Sequence, residues 1–190
     1  MKASLLFIAL FCTGSALAAS PVVDNANIDA SAQHYKGNLS VNQAAGDQQQ
    51  QNNSRAIAIG HDADATTRII QRMDTAPSRA LDASASIGGN SFSNGSGVLG
   101  INQSAGAGTQ QANAVRISIS AIPQSIDDSV LLQQNVALSN SSDSTHNAPG
   151  SRQVNTSDQA FTGSRGVVQL NQSAGVGNQM GNTLSVRVAD

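Results

Sequence analysis

Histidines, neighbouring carboxylates and activated hydroxyls are the groups through which this chain could bind a metal, move a proton or attack a substrate. The sequence spaces all of them poorly for the purpose. His34, His61 and His146 lie far apart in polar company, without the i, i+4 or loop spacing of a metal site. His61 with Asp62 and Asp64 is the best metal candidate, and solvent-facing histidines are the simpler reading. Asp127 and Asp128 could act as general acid and base only inside an enclosing pocket, and a carboxylate role at a helix N-terminus suits them better. The glycine-rich run SIGGNSFSNGSG (86–97) has neither a following Lys-Ser/Thr nor a dinucleotide fingerprint. No Gly-x-Ser-x-Gly elbow comes with a credible His and acid. The reading is therefore of a non-enzyme that needs no cofactor and no metal.

The side chains that do recur in a fixed pattern are amides. Three copies of one motif begin at Gly37 (GNLSVNQAAGDQQQQNNSRAIAI), Gly97 (GVLGINQSAGAGTQQANAVRISI) and Gly166 (GVVQLNQSAGVGNQMGNTLSVRV), 60 and then 69 residues apart. Seven of the 23 positions are identical in all three. Besides the leading glycine, these are the pairs Asn42-Gln43, Asn102-Gln103 and Asn171-Gln172, the Ala-Gly pairs containing Gly46, Gly106 and Gly175, then Gln50, Gln110 and Gln179, and Asn53, Asn113 and Asn182. Such spacing is far longer than the common helical solenoid periods.

The elements carrying these amides have a period of two. Leu39 and Val41, Leu99 and Ile101, and Val168 and Leu170 share one side of a first extended segment. Ile57 and Ile59, Ile117 and Ile119, and Val186 and Val188 do the same on a second. Gly46, Gly106 and Gly175 lie between them, where a tight reversal or bulge would use a positive φ. Each copy thus reads as strand, turn, strand, in a mainly β chain whose repeats stack as hairpins or as a solenoid. Four or five buried aliphatics cannot offset the ordering of 23 residues, so one repeat alone is unstable and the free monomer could be disordered. Stacked copies gain backbone partners above and below, and identical Asn and Gln side chains form ladders.

Between the repeats (37–59, 97–119 and 166–188) the chain reads as a flexible N-terminal segment (19–36) and two linkers (60–96 and 120–165). In the first linker Ile69, Ile70 and Met73 could line a short helix before Pro77. SIDDSVLLQQNVAL (125–138) fits a helix or a short strand, and NSSDSTHNAPGSRQVNTSD (140–158) reads as flexible. Phe92 and Phe161 sit five residues before their repeat glycines, where the first copy has Ala32.

Composition agrees with this unusual interior. Only 12% of the 190 residues are charged and 3% aromatic, with net charge -2 and no Trp, so there is no basic field for nucleic acid. Lys2, the apolar run Ala3–Phe11 and Ala16-Leu17-Ala18 read as a signal peptide cleaved after Ala18. A lipoprotein reading of Cys12 is disfavoured by bulky Phe11 before it. Cleavage would remove Cys12, Phe7 and Phe11, leaving no disulfide and only Tyr35, Phe92 and Phe161 as aromatics.

A signal peptide, three Gly-x-x-x-aliphatic-Asn-Gln-[Ala/Ser]-Ala-Gly repeats with trailing Gln and Asn, and long irregular linkers resemble the Fap functional amyloid proteins of Pseudomonas. The resemblance carries over at Asn42-Gln43, Asn102-Gln103, Asn171-Gln172, Gln50, Gln110 and Gln179. It implies export through outer-membrane machinery, a periplasmic location or onward passage to the cell surface or biofilm matrix, and partnership with the fibril subunit of the same system or with copies of itself. Only seven positions are shared, no Cys-x-x-Cys closes the chain, and Arg55, Arg116 and Arg187 fall at different places in the second strands. Those arginines read as gatekeepers against self-stacking. The favoured expectation is an accessory, chaperone-like modulator of fibrillation, with a minor or nucleating subunit next and a surface adhesin third.

Overall fold

A computed structural model describes residues 22–73, 81–121, 134–137 and 150–189, in strands joined by bends, turns and irregular stretches such as 63–68. The chain is mainly β and its three repeats stack. Among the described residues the strands are β1 (Val22–Asp29), β2 (Lys36–Ala45), β3 (Gln50–Gly60), β4 (Ile69–Arg72), β5 (Leu81–Gly88), β6 (Ser96–Ala107), β7 (Gln110–Ser120), β8 (Gln134–Ala137), β9 (Arg152–Thr156), β10 (Arg165–Val176) and β11 (Gln179–Ala189).

Among the described residues all strand pairing is parallel, and no two strands of one repeat pair with each other. β2, β6 and β10 form one sheet, β3, β7 and β11 a second, β1, β5 and β9 a third, and β4 pairs with β8. The two strands of one repeat therefore lie in different sheets, related by an arc rather than the ladder of a hairpin. The reason is in the side chains. Isolated alternating strands with one amide-rich face gain more by placing like residues over like than by pairing across a two-residue turn, because identical amides are self-complementary. Each repeat is one rung, and the register keeps identical residues in column: Asn42, Asn102 and Asn171, for example, are direct neighbours.

The middle sheet is covered on both sides. Leu99 and Ile101 pack with Ile28, Ile87 and Phe92, and Ala105 and Ala107 with Ala26, Leu81, Ala83 and Ala85, so one face of β6 meets the β1–β5–β9 sheet. The alternate residues of β6 meet β3 and β7 instead. On the far side of β7, Ala112 and Ala114 pack on Ile69. Ala65 N–H donates to Ser118 Oγ at 2.9 Å and Ala63 N–H to Ser120 Oγ at 3.3 Å.

Several segments read as irregular are thus structural. The N-terminal segment contains β1, the first linker β4 and β5, and the second linker β8 and β9. Ile69 and Ile70 do not share a helix face. Ile69 is buried and Ile70 exposed, the alternation of a strand, which suits β-branched side chains. Residues 74–80, 122–133, 138–149 and the signal-peptide reading of 1–18 lie outside the described residues.

The rungs stay in register through their bends. Phe92 N–H donates to Ser31 O at 2.8 Å and Phe161 N–H to Ser91 O at 2.9 Å. The Phe92 and Phe161 rings stack with centroids 5.5 Å apart. Ala32, Phe92 and Phe161 all take positive φ, at 53, 58 and 63°. Below that aromatic pair, the ring of Tyr35 fills the space that a side chain on Gly95 would need. In the arcs, Gln48 (φ 54°) stands where the later rungs have Gly108 (67°) and Gly177 (70°). Left-handed backbone costs a side chain about 1 kcal/mol. Gln48→Gly is accordingly expected to raise the guanidinium midpoint, by about 0.5–1 kcal/mol in stability, since Gln48 is exposed.

Candidate functional site

The amides that recur in sequence form continuous columns. In the first, Asn171 Nδ2 donates to Asn102 Oδ1 and Asn102 Nδ2 to Asn42 Oδ1, both at 3.0 Å. In the second, Gln172 Nε2 donates to Gln103 Oε1 and Gln103 Nε2 to Gln43 Oε1, both at 2.8 Å. In the third, Asn182 Nδ2 donates to Asn113 Oδ1 at 3.1 Å and Asn113 Nδ2 to Asn53 Oδ1 at 2.9 Å. The Gln110 amide stands between those of Gln50 and Gln179, at 3.1 and 3.3 Å.

The columns point in different directions because the pair Asn-Gln spans both faces of a strand. The asparagines of β2, β6 and β10 turn toward β3, β7 and β11. There Asn53, Asn113 and Asn182 donate to Asn42, Asn102 and Asn171 within each rung, at 2.8, 3.0 and 2.9 Å. The adjacent glutamines turn the other way: Gln43 donates to Asn27 O, Gln103 to Ser86 O and Ala26 O, and Gln172 to Asn155 O. One dipeptide thereby joins three sheets. Asn102, Gln103 and Gln110 are 0% exposed, so these bonds form away from water, where leaving one unmade is costly.

Gly46, Gly106 and Gly175 also form a column, with φ of 98, 119 and 129°. A Cβ on Gly46 would overlap the carbonyl oxygen of Gly106, and one on Gly106 that of Gly175. Two requirements coincide there, a backbone conformation open to glycine and a close approach of successive arcs.

The three arginines occupy three registers. Arg55 is beside Val115, Arg116 beside Ala56, and Arg187 beside Ser118. Arg55 bonds Leu39 O at 2.7 Å and the Ser40 hydroxyl, and burial lowers its guanidinium below the usual value. Arg116 is 2% exposed on the outer face of β7. Arg187 pairs with exposed Asp64 at 3.2 Å.

The residues considered for chemistry are scattered. His34 and His61 are exposed, as are Asp62 and Asp64, while His146, Asp127 and Asp128 lie outside the described residues. Among the described residues no group of three or more His, Cys, Asp or Glu could hold a metal.

Sequence reasoning missed the third sheet, and also the amides that brace the second sheet against the first. Gln51 Nε2 donates to Gln43 O and Gln111 Nε2 to Gln103 O, at 2.8 and 3.0 Å, although the third copy has Met180 at this place. The available signal was the alternation of small apolar and polar residues in VVDNANID and LDASASIG, once aligned at the repeat spacing.

No solved structure matches the chain. A family model matches residues 13–189, nearly the whole length, and is described as the functional amyloid protein FapB/FapC family. With three rungs of amide columns and that match, the chain belongs to the FapB/FapC family of functional amyloid proteins.

Proposed function

We propose that this functional amyloid protein is a minor or nucleating subunit of biofilm fibrils, exported to the cell surface. The observation that carries this reading is the continuity of the columns. Residues that bond on both sides in the middle rung recur on both outer rungs, whose strands β1, β2, β3 and β9, β10, β11 are sheet edges. An outer rung is a preformed template for an incoming chain of the same motif, because its backbone ladder and its amides are already aligned. Forming the first rungs is the slow step in any such stack, since ordering precedes the reward, and a chain holding three rungs in one molecule shortens it.

A second reading is the accessory one, in which the chain occupies the fibril subunit's strands and holds assembly back. The differing arginine registers favour it, because each rung then presents a different pattern to a partner. A mixing experiment separates the two. Added below stoichiometry to the major subunit, the mature chain is expected to shorten the lag before thioflavin fluorescence rises, and alone it should form fibrils with the roughly 4.7 Å cross-β reflection. A lengthened lag with no fibrils from the chain alone would reverse the assignment.

A further inference from the structure

We infer that the chain binds flat aromatic anions in a groove between the β2–β6–β10 and β3–β7–β11 sheets, at the end of those sheets away from the arcs. The groove is complete within one molecule, so the inference does not depend on whether the chain nucleates fibrils or restrains them. Its volume is about 240 Å³, and Gly37, Asn38, Ile57, Gly97, Val98 and Ile117 line it. It follows from a mismatch between the sheets. Counting outward from the arc, Gln51 meets Gln43, Asn53 meets Asn42, and Arg55 meets Leu39 and Ser40. Ile57, the next residue on that side of β3, then comes to the Gly37–Asn38 end of β2, where the glycine has no side chain to fill the space.

Both sides of the groove repeat from rung to rung. Ile57, Ile117 and Val186 form one column of its wall, and Ile59, Ile119 and Val188 a second, further out. Ile57 and Ile59 are 60% and 74% exposed, so the wall faces solvent where a ligand can reach it. The glycines opposite are fixed by the backbone. Gly37, Gly97 and Gly166 take φ of 85, 131 and 108°, and a Cβ on Gly97 would overlap the Gly37 carbonyl oxygen, as one on Gly166 would that of Gly97. The floor therefore stays bare in every rung. At Gly37 a Cβ would meet nothing within 4 Å, which leaves the first rung's side of the groove open.

Charge and shape select the occupant. Immediately before the three glycines stand Lys36, Ser96 and Arg165, exposed and in one column, so the rim is cationic. Lys36, Arg55, Arg116, Arg165 and Arg187 are the charged residues of the six strands in these two sheets, and none of the six contains an acid. Such a rim attracts a negative group and repels a positive one. It also disfavours a second copy applied by the same face, which sets cation against cation whichever way that copy is turned. The wall is made of β-branched side chains, stiff at χ1, repeating about every 4.8 Å as parallel ridges. A rigid ring system lying along such ridges loses little conformational freedom on binding, whereas a flexible acyl chain loses much more.

The test is fluorescence titration of the mature chain, its strand content checked by circular dichroism, with two flat dyes of opposite charge: anionic anilinonaphthalene sulfonate and cationic thioflavin T. At low salt the unmodified chain is expected to bind the anion more tightly. K36E/R165E should weaken sulfonate binding by roughly tenfold and strengthen thioflavin T binding, a contrast that added salt reduces. Both positions are exposed and the two dyes move in opposite directions, so loss of the fold cannot produce that result. I57S/I59S strips the first rung's wall and should weaken both dyes several-fold. A charge reversal that moves the two dyes alike or leaves both unchanged, or a serine wall that holds the sulfonate as tightly as before, would overturn the site.

Discussion

Asn102→Asp is expected to be the most damaging change of one functional group in the stack, at about 3–5 kcal/mol near neutral pH. The amide nitrogen it removes points at two acceptors, Asn42 Oδ1 at 3.0 Å and Asn52 O at 2.9 Å, so a carboxylate oxygen there faces oxygens. The position is 0% exposed, and water cannot relieve the contact. A protonated carboxyl can donate one of the lost bonds. The folded state therefore favours the neutral acid and raises its pKa above the ordinary value of about 4. For an acid with a raised folded pKa, stability is lost as pH rises through the unfolded value toward the folded one, and regained as pH falls. Guanidinium midpoints between pH 3 and 8 should approach those of the unmodified chain toward the acid end. Asn42→Asp on the exposed outer rung is the control, with an expected cost below about 1 kcal/mol. Equal losses at the two positions would refute the claim that burial in the middle rung sets the value of the ladder.

The second large effect is expected from Gly106→Ala, on the order of 4 kcal/mol. Two terms combine. A Cβ at φ 119° costs 1–3 kcal/mol in backbone strain alone, roughly. It also overlaps the Gly175 carbonyl oxygen, which is backbone in the next rung and can yield only by opening the β6–β10 ladder. Gly175→Ala isolates the first term. Its φ is 129°, yet the nearest atom a Cβ would meet is Arg152 Cδ at 2.8 Å, in a flexible exposed side chain. Its expected cost is about 1–2 kcal/mol. If fibril yield and the denaturation midpoint respond alike to both alanines, close approach of the arcs is not what fixes glycine there.

These contrasts show what sequence could and could not disclose. The repeat, its strands and its columns were legible because identical residues at a constant offset leave few alternatives to like-on-like stacking. The β1–β5–β9 sheet was not. Its strands show a period of two, but in Ala26, Ala83 and Ala85 the buried residues are small, and in β9 Val154 is 49% exposed, so the alternation of hydropathy is faint. Hairpin and arc were equally open, since a glycine with positive φ serves both and only the partner of each backbone N–H distinguishes them. Arg116 shows the limit from the other side. A charged residue in a strand reads as exposed, whereas here the cover of β7 by the chain after β3 buries it, which no local pattern announces.

Tyr35 gives the molecule a property of another kind. With no Trp in the chain and no second Tyr, its phenol is the sole strong near-ultraviolet emitter. It lies in the first rung over Gly95 of the second, with its ring partly buried against the cluster of Ile28, Ile87, Phe92, Leu99 and Ile101. Emission from this one ring therefore reports closure of the first layer on the second without any attached dye, separately from whatever the third layer or a neighbouring chain is doing.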